Sequence, residues 1–147
     1  MSAKEDLEAR IYEARILVVD DEISSLELME LLLNKRGYKN VFVASDSTSV
    51  EKMYELAPCD LVILDMNMPN MDGIAVMRRV KEKLREGDYL PVMVVTARHD
   101  IENRILALKE GARDYIAKPF NAEEFLQRVY NHLEVRMLFR NRNQGAG

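Results

Sequence analysis

Apolar residues fall along the chain in two alternating rhythms. Short runs rich in Val and Ile recur at Ile16 to Val19, Val41 to Ala44, Leu61 to Leu64, Val92 to Val95 and Tyr115 to Ala117. Such continuous runs predict strands covered on both faces. Between them, apolar residues recur three or four apart: Leu26, Met29 and Leu33; Val50, Met53 and Ala57; Val76, Val80 and Leu84; Ile101, Ile105 and Leu108; Phe125, Val129 and Leu133. That spacing lines one face of a helix, so five helices alternate with five strands. Gly37 and Gly111 stand where helix C-termini favour a left-handed residue, and Asn121 with Glu124 fits an N-cap and its partner. Ser2 with Glu5, then Leu7, Ile11 and Ala14, is compatible with an extra helical lead-in as well as with a frayed tail.

Strands alternating with helices predict a parallel sheet with right-handed crossovers and helices on both sides. In such sheets, functional residues gather beyond the carboxyl ends of the strands. The first strand is followed by Asp20, Asp21 and Glu22; the third ends at Asp65, the fourth at Thr96 and the fifth at Lys118. Three acids, one hydroxyl and one ammonium are thus expected to converge on one edge. Clustered carboxylates repel one another, and a divalent cation stabilises them in ionised form. Mg²⁺ suits the set, because it takes a few carboxylate oxygens and leaves positions for phosphate oxygens. Asp65 is then the natural nucleophile toward phosphorus, with Lys118 and Thr96 donating to phosphoryl oxygens.

Taken one at a time, these residues also have ordinary readings. Asp20-Asp21-Glu22 suits a helix N-terminus, Asp65 precedes a loop with Pro69 and the turn pair Asp72-Gly73, and Lys118 is compatible with a surface lysine. Their shared position at strand ends favours the functional reading.

Composition narrows the class. The chain has 147 residues, 48% of them hydrophobic, enough for one domain and one core. Its 21 Lys+Arg and 25 Asp+Glu are interspersed, with a net charge of -4, which argues against a body built to coat nucleic acid. No apolar run approaches the roughly 20 residues of a membrane span. Residues 1–10 lack the apolar middle of a signal peptide, so a cytoplasmic protein is expected. With Cys59 the sole cysteine and only His99 and His132 as histidines, any metal is expected to be held by oxygen.

Four blocks carry a family resemblance: Ile16 to Glu22, Asp65 to Gly73, Thr96-Ala97, and Gly111 to Phe120. In order and spacing they resemble the signature blocks of response regulator receiver domains of two-component phosphorelay systems. The resemblance runs from about Arg15 to Leu138. It implies a flavodoxin-like, doubly wound five-stranded sheet of order 2-1-3-4-5. It further implies Asp65 as phosphoacceptor and Asp20 and Asp21 as the acidic pair around Mg²⁺, or Mn²⁺ as a substitute. Asn67 would lend its backbone carbonyl to the metal, Thr96 and Lys118 would bind the phosphoryl group, and Tyr115 would turn inward when Thr96 moves. Asn67 and Arg98 fall where the family tunes dephosphorylation, and the Lys118-Pro119 bond is expected to be cis.

Function follows from the same resemblance. The chain is expected to be a phosphorylation-dependent switch, not an enzyme beyond its own phosphotransfer and dephosphorylation. Its donor would be a sensor histidine kinase, a phosphotransfer protein or a small acyl phosphate. The helices over 101–110 and 122–133, with the fifth strand between them, would form the output face, through which a homodimer is also conceivable. One alternative is an aspartyl-phosphate phosphatase of haloacid-dehalogenase type, although Asn67 stands where such enzymes carry a second acid. Another is a flavin-binding flavodoxin-like module, whose phosphate loop Asp20-Asp21-Glu22 would disfavour.

Residues 1–14 read as an N-terminal extension, 15–138 as the receiver domain and 139–147 as a helical linker stub. Arg136, Arg140 and Arg142 lie either in a small basic patch, a weak nucleic-acid signal, or on a helix leading to an output domain. His132 to Leu138 is similar to linkers before HD-GYP cyclic-dinucleotide phosphodiesterase domains.

Overall fold

In a computed structural model, the described residues are 2–56, 58–66, 73–84, 86–97 and 101–146. Five parallel strands, β1 (Arg15–Val19), β2 (Asn40–Ala44), β3 (Leu61–Leu64), β4 (Val92–Thr96) and β5 (Asp114–Ala117), form one sheet of order β2-β1-β3-β4-β5. Six helices accompany them: α1 (Ala3–Tyr12), α2 (Ile23–Arg36), α3 (Val50–Leu56), α4 (Gly73–Lys83), α5 (Ile101–Lys109) and α6 (Ala122–Ala146). This is the doubly wound, flavodoxin-like order implied by the resemblance.

The pleat divides the apolar residues of the central strands between two cores. Leu17, Val19, Val62, Leu64, Val92 and Val94 pack on one side with Val50 of α3, Val76, Met77 and Val80 of α4, and Ala107 of α5. Ile16, Val18, Leu61, Ile63, Met93 and Val95 pack on the other with Ile11 of α1, Leu26, Met29 and Leu33 of α2, and Phe125, Val129 and Leu133 of α6. Burial on both faces explains why these strands read as unbroken apolar runs.

Helix ends follow from local chemistry. Gly37 and Gly111 both adopt φ 109, the left-handed conformation expected of them. The Asn121 Oδ1 accepts from the Glu124 N–H at 3.0 Å, starting α6. At α1 the Ser2 hydroxyl oxygen accepts from the Glu5 N–H at 3.1 Å, so the lead-in is helical. Ile11 is fully buried, which ties this helix into the second core.

Two apolar or charged patterns resolve differently from their surface look. The spaced Ile101, Ile105 and Leu108 of α5 face solvent, at 66%, 45% and 46% exposure, and the small Ala107 is what meets the sheet. Arg136 and Arg140 do not form a basic patch. Arg136 Nε donates to Asp60 Oδ1 at 3.2 Å and Nη1 to Asp88 Oδ1 at 2.9 Å and to the Tyr89 carbonyl; Arg140 Nη1 donates to Asp60 Oδ1 at 2.9 Å. Their charge is spent inside the fold; the Arg142 side chain lies outside the described residues.

Candidate functional site

Strand register assembles the site. Val19 of β1 pairs with Leu64 of β3, so the next residues, Asp20 and Asp65, leave adjacent strands side by side. The ladder continues past the strands: the Asp65 N–H donates to the Val19 carbonyl at 3.0 Å, and the Lys118 N–H to the Thr96 carbonyl at 2.9 Å. Backbone bonds therefore join the four elements that present the site in two pairs, β1 with β3 and β4 with β5. Ligand atoms of the Asp20, Asp21 and Asp65 carboxylates all lie within 4.8 Å of one another.

Asp20 and Thr96 are fully buried and Asp65 is 7% exposed, while Asp21 is exposed. The Thr96 hydroxyl donates to Asp65 Oδ1 at 2.6 Å. The Lys118 Nζ donates to Asp20 Oδ2 at 2.5 Å and lies 3.6 Å from Asp65 Oδ2. The Glu22 N–H donates to Asp20 Oδ1 at 2.9 Å, which fixes the Asp20 carboxylate from its other side. Thus all five expected side chains (Asp20, Asp21, Asp65, Thr96 and Lys118) meet at one sheet edge.

Glu22 is not part of the convergence. Its carboxylate accepts from the Ser24 and Ser25 hydroxyls at the start of α2, and the Ser25 bond, then Ser24, holds its pKa below the usual range. The acids that converge are Asp20, Asp21 and Asp65.

Burial sets the electrostatics. It is the largest influence on Asp20 and lifts its carboxyl above the usual range, against lowering by Lys118 and the Glu22 N–H. On Lys118, burial works against the charge, but the hydrogen bond and charge of Asp20, with Asp65 and Glu22, outweigh it and raise the pKa. Three carboxylates face one ammonium. The donor set is all oxygen and closely spaced, which fits a hard divalent cation held by Asp20, Asp21 and Asp65.

Gly73 is a positional residue whose importance exceeds turn chemistry. A Cβ there would lie 2.9 Å from both the Asp65 carbonyl oxygen and the Met66 Cα, and the Gly73 N–H donates to the Met66 carbonyl at 3.1 Å. Only glycine lets α4 begin against the backbone that carries Asp65. The Asp72-Gly73 pair is the sequence signal for this, but the close approach itself is visible only in three dimensions.

Tyr115 is half-buried on β5, with its ring packed against the first core and the Arg104 guanidinium 5.9 Å from its centroid. The Lys118-Pro119 bond is cis. Asn67 and Arg98 lie outside the described residues.

Comparison with known proteins agrees with this geometry. The family model described as response regulator receiver domain matches residues 16–130. The chain is 38% identical over 115 residues to the DNA-binding response regulator MtrA of Mycolicibacterium paratuberculosis, covering 78% of this chain and 49% of that protein. It is equally similar, 38% over 115 residues, to the response regulator MprA of Mycobacterium leprae, with 78% and 49% covered. The chain therefore spans about half the length of the curated relatives it matches. A crystal structure of a response regulator receiver domain protein from Clostridium thermocellum superposes with a TM-score of 0.74 at 34% identity, covering 85% of this chain and 98% of that one. Sequence, strand order and site together show that this chain belongs to the response regulator receiver domain family.

Proposed function

We propose that the chain is a phosphorylation-dependent switch in which the Asp65 carboxylate accepts a phosphoryl group from a phosphohistidine of a sensor kinase or phosphotransfer protein, or from a small acyl phosphate. The observation that carries this reading is the meeting of a nearly buried Asp65 carboxylate with the Thr96 hydroxyl at 2.6 Å, the Lys118 ammonium at 3.6 Å and the acids Asp20 and Asp21. One Asp65 oxygen forms the new bond to phosphorus while the bond from phosphorus to the donor nitrogen or oxygen breaks, its electron pair leaving with the donor. Bound Mg²⁺, with Mn²⁺ as a substitute, would offset negative charge on the phosphoryl oxygens. Asp20, Asp21 and Asp65 would hold it, with the Asn67 carbonyl as a further oxygen.

The switch follows from partners that are already engaged. Thr96 now donates to Asp65 and Lys118 to Asp20. A phosphoryl group offers both donors stronger acceptors, drawing Thr96 and Lys118 toward it and biasing Tyr115 and the face made of α5, β5 and α6. On that face α5 exposes Ile101, Ile105, Leu106 and Leu108, apolar area suited to an output domain or a second copy. Asn67 and Arg98 tune how fast water removes the group. The chain catalyses its own phosphotransfer and dephosphorylation and turns over no external substrate, and it acts in the cytoplasm. Among the described residues no helix is long and apolar enough to cross a membrane.

The test is the response to beryllofluoride, a phosphoryl mimic. Amide spectra of the parent are expected to shift at residues of β5, α5 and α6 when Mg²⁺ is present, and to stay unchanged without Mg²⁺ or in Asp65→Asn. Shifts of equal size in Asp65→Asn would refute the reading.

A further inference from the structure

Helix α5 sinks little of itself into the core: of its nine residues, Ala107 alone is buried. Just beyond Ala107 the chain closes the helix. The Gly111 N–H donates to the Leu108 carbonyl at 3.1 Å and the Ala112 N–H to the Ala107 carbonyl at 3.0 Å, with Gly111 in the left-handed conformation. Helix α4 grips this same end from the side. Arg78 forks onto Glu110, the residue that follows α5, with Nη2 2.6 Å from Oε1 and Nε 3.1 Å from Oε2. One turn on along α4, the Lys81 Nζ donates to the Glu110 carbonyl at 2.7 Å, a cation at the negative end of a helix. That Nζ lies 2.7 Å from where a Cβ on Gly111 would stand, so the ammonium rests against the turn itself. The Arg78 bond also holds the Glu110 carboxyl below its usual range.

These contacts lie away from the phosphoryl chemistry. Thr96 ends β4 at the site edge, Ile101 begins α5, and the helix runs back to where β5 begins, so Glu110 stands at the pole remote from Asp65. Their consequence is mechanical. At about 1.5 Å per residue the helix is roughly 14 Å long, and its internal hydrogen bonds make it move as a unit. A pull on Thr96 that displaces its start is therefore carried to Glu110, where Arg78 and Lys81 oppose it. With Thr96 bonded to Asp65 and Lys118 to Asp20, the arrangement described is the one that precedes phosphorylation. A contact made in that state and strained in the other opposes the change by its own strength.

We propose that Arg78, Lys81 and Glu110 form an ionic brake on the switch: by fixing the far end of α5 to α4, they favour the resting position of the output face and lower the affinity for the phosphoryl group. This inference rests on the phosphoryl-switch reading. The Arg78 and Glu110 side chains are 63% and 22% exposed, so solvent screens the pair and the brake tunes the balance without locking it.

Beryllofluoride titrations of the full chain at fixed Mg²⁺, followed by amide shifts, test the brake. Arg78→Gln and Glu110→Gln should each lower the beryllofluoride concentration at half-saturation about threefold, the scale of one exposed ion pair. The two substitutions change the net charge in opposite directions. A general field effect on an anionic ligand would move them apart, whereas loss of a shared contact moves them together. The double variant should gain no more than either single one. Lys83→Gln is the control, because it removes the same charge from α4 as Arg78→Gln, but Lys83 pairs with Glu51 at 3.2 Å and Glu55 at 2.7 Å on α3. The proposal is overturned if half-saturation is unchanged or raised in either brake variant, if the two effects add, or if Lys83→Gln lowers it equally. A parent without any beryllofluoride response refutes the phosphoryl reading and the brake with it; a parent that responds while both variants match it refutes the brake alone.

Discussion

Strand β3 ends in an aspartate at each pole, and the two poles treat it differently. Asp60, 6% exposed, precedes the strand; Asp65, 7% exposed, follows it. Asp60 accepts from the Arg15 N–H at 3.0 Å, Arg136 Nε at 3.2 Å and Arg140 Nη1 at 2.9 Å, so two guanidinium groups and an amide neutralise one carboxylate. At Asp65 the balance is reversed, with three carboxylates facing one ammonium. Equal burial therefore does not mean equal purpose. The first pole is closed by its own cations and fastens α6 across the bottom of the sheet. The second carries surplus negative charge, which a cation and a phosphoryl group are expected to use.

Substitutions should separate the poles. Asp60→Asn leaves Arg136 buried against too little negative charge, and breaking a buried pair of this kind costs about 3–5 kcal/mol. Urea denaturation should show that loss, while phosphoryl uptake per folded molecule stays near the parent's; an equal loss of uptake would erase the distinction. Gly73→Ala comes next, at about 1–3 kcal/mol, because its Cβ would press on the Asp65–Met66 backbone. Unlike Asp60→Asn, it should also slow uptake from acetyl phosphate, followed as the gain of phosphoryl mass with time.

Asp20→Asn sharpens the contrast further. Burial disfavours its charge, and Asp65 remains beside Lys118. In metal-free buffer its stability should change by less than about 1 kcal/mol or increase, since this removes repulsion and desolvation. Mg²⁺ affinity, read by titration calorimetry, should nonetheless fall. A loss as large as that of Asp60→Asn would contradict the surplus of charge at this pole.

The smallest effect concerns acid pH. Burial is the largest single influence on Asp114 and opposes its ionisation, but the His132 bond at 2.9 Å, the Arg128 charge and the Tyr115 N–H outweigh it and lower its pKa. A carboxyl depressed in the folded state adds stability that is present above its unfolded pKa and lost as pH falls through the folded one. An ordinary aspartate titrates near 3.8, so the loss belongs below about that pH. Asp114→Asn should flatten this part of the stability profile; an unchanged acid limb would rule the contribution out.

Much of this was legible in the sequence. Runs such as Leu61 to Leu64 and turns such as Gly37 define local elements, and the strand-end rule converts them into a meeting of Asp20, Asp65, Thr96 and Lys118 without knowledge of distant contacts. The Asp60 clamp was not legible, because Arg136 lies 76 residues away and reads as one more charge on a polar helix. Likewise the exposed apolar face of α5 has the same periodicity as a buried one, and only the packing of Ala107 shows which way the helix turns.

The most direct test of the central claim is intact-mass analysis after incubation with acetyl phosphate and Mg²⁺, for the parent and Asp65→Asn. The account predicts the mass of one phosphoryl group added to the parent and none to Asp65→Asn; a gain in both, or in neither, would contradict it.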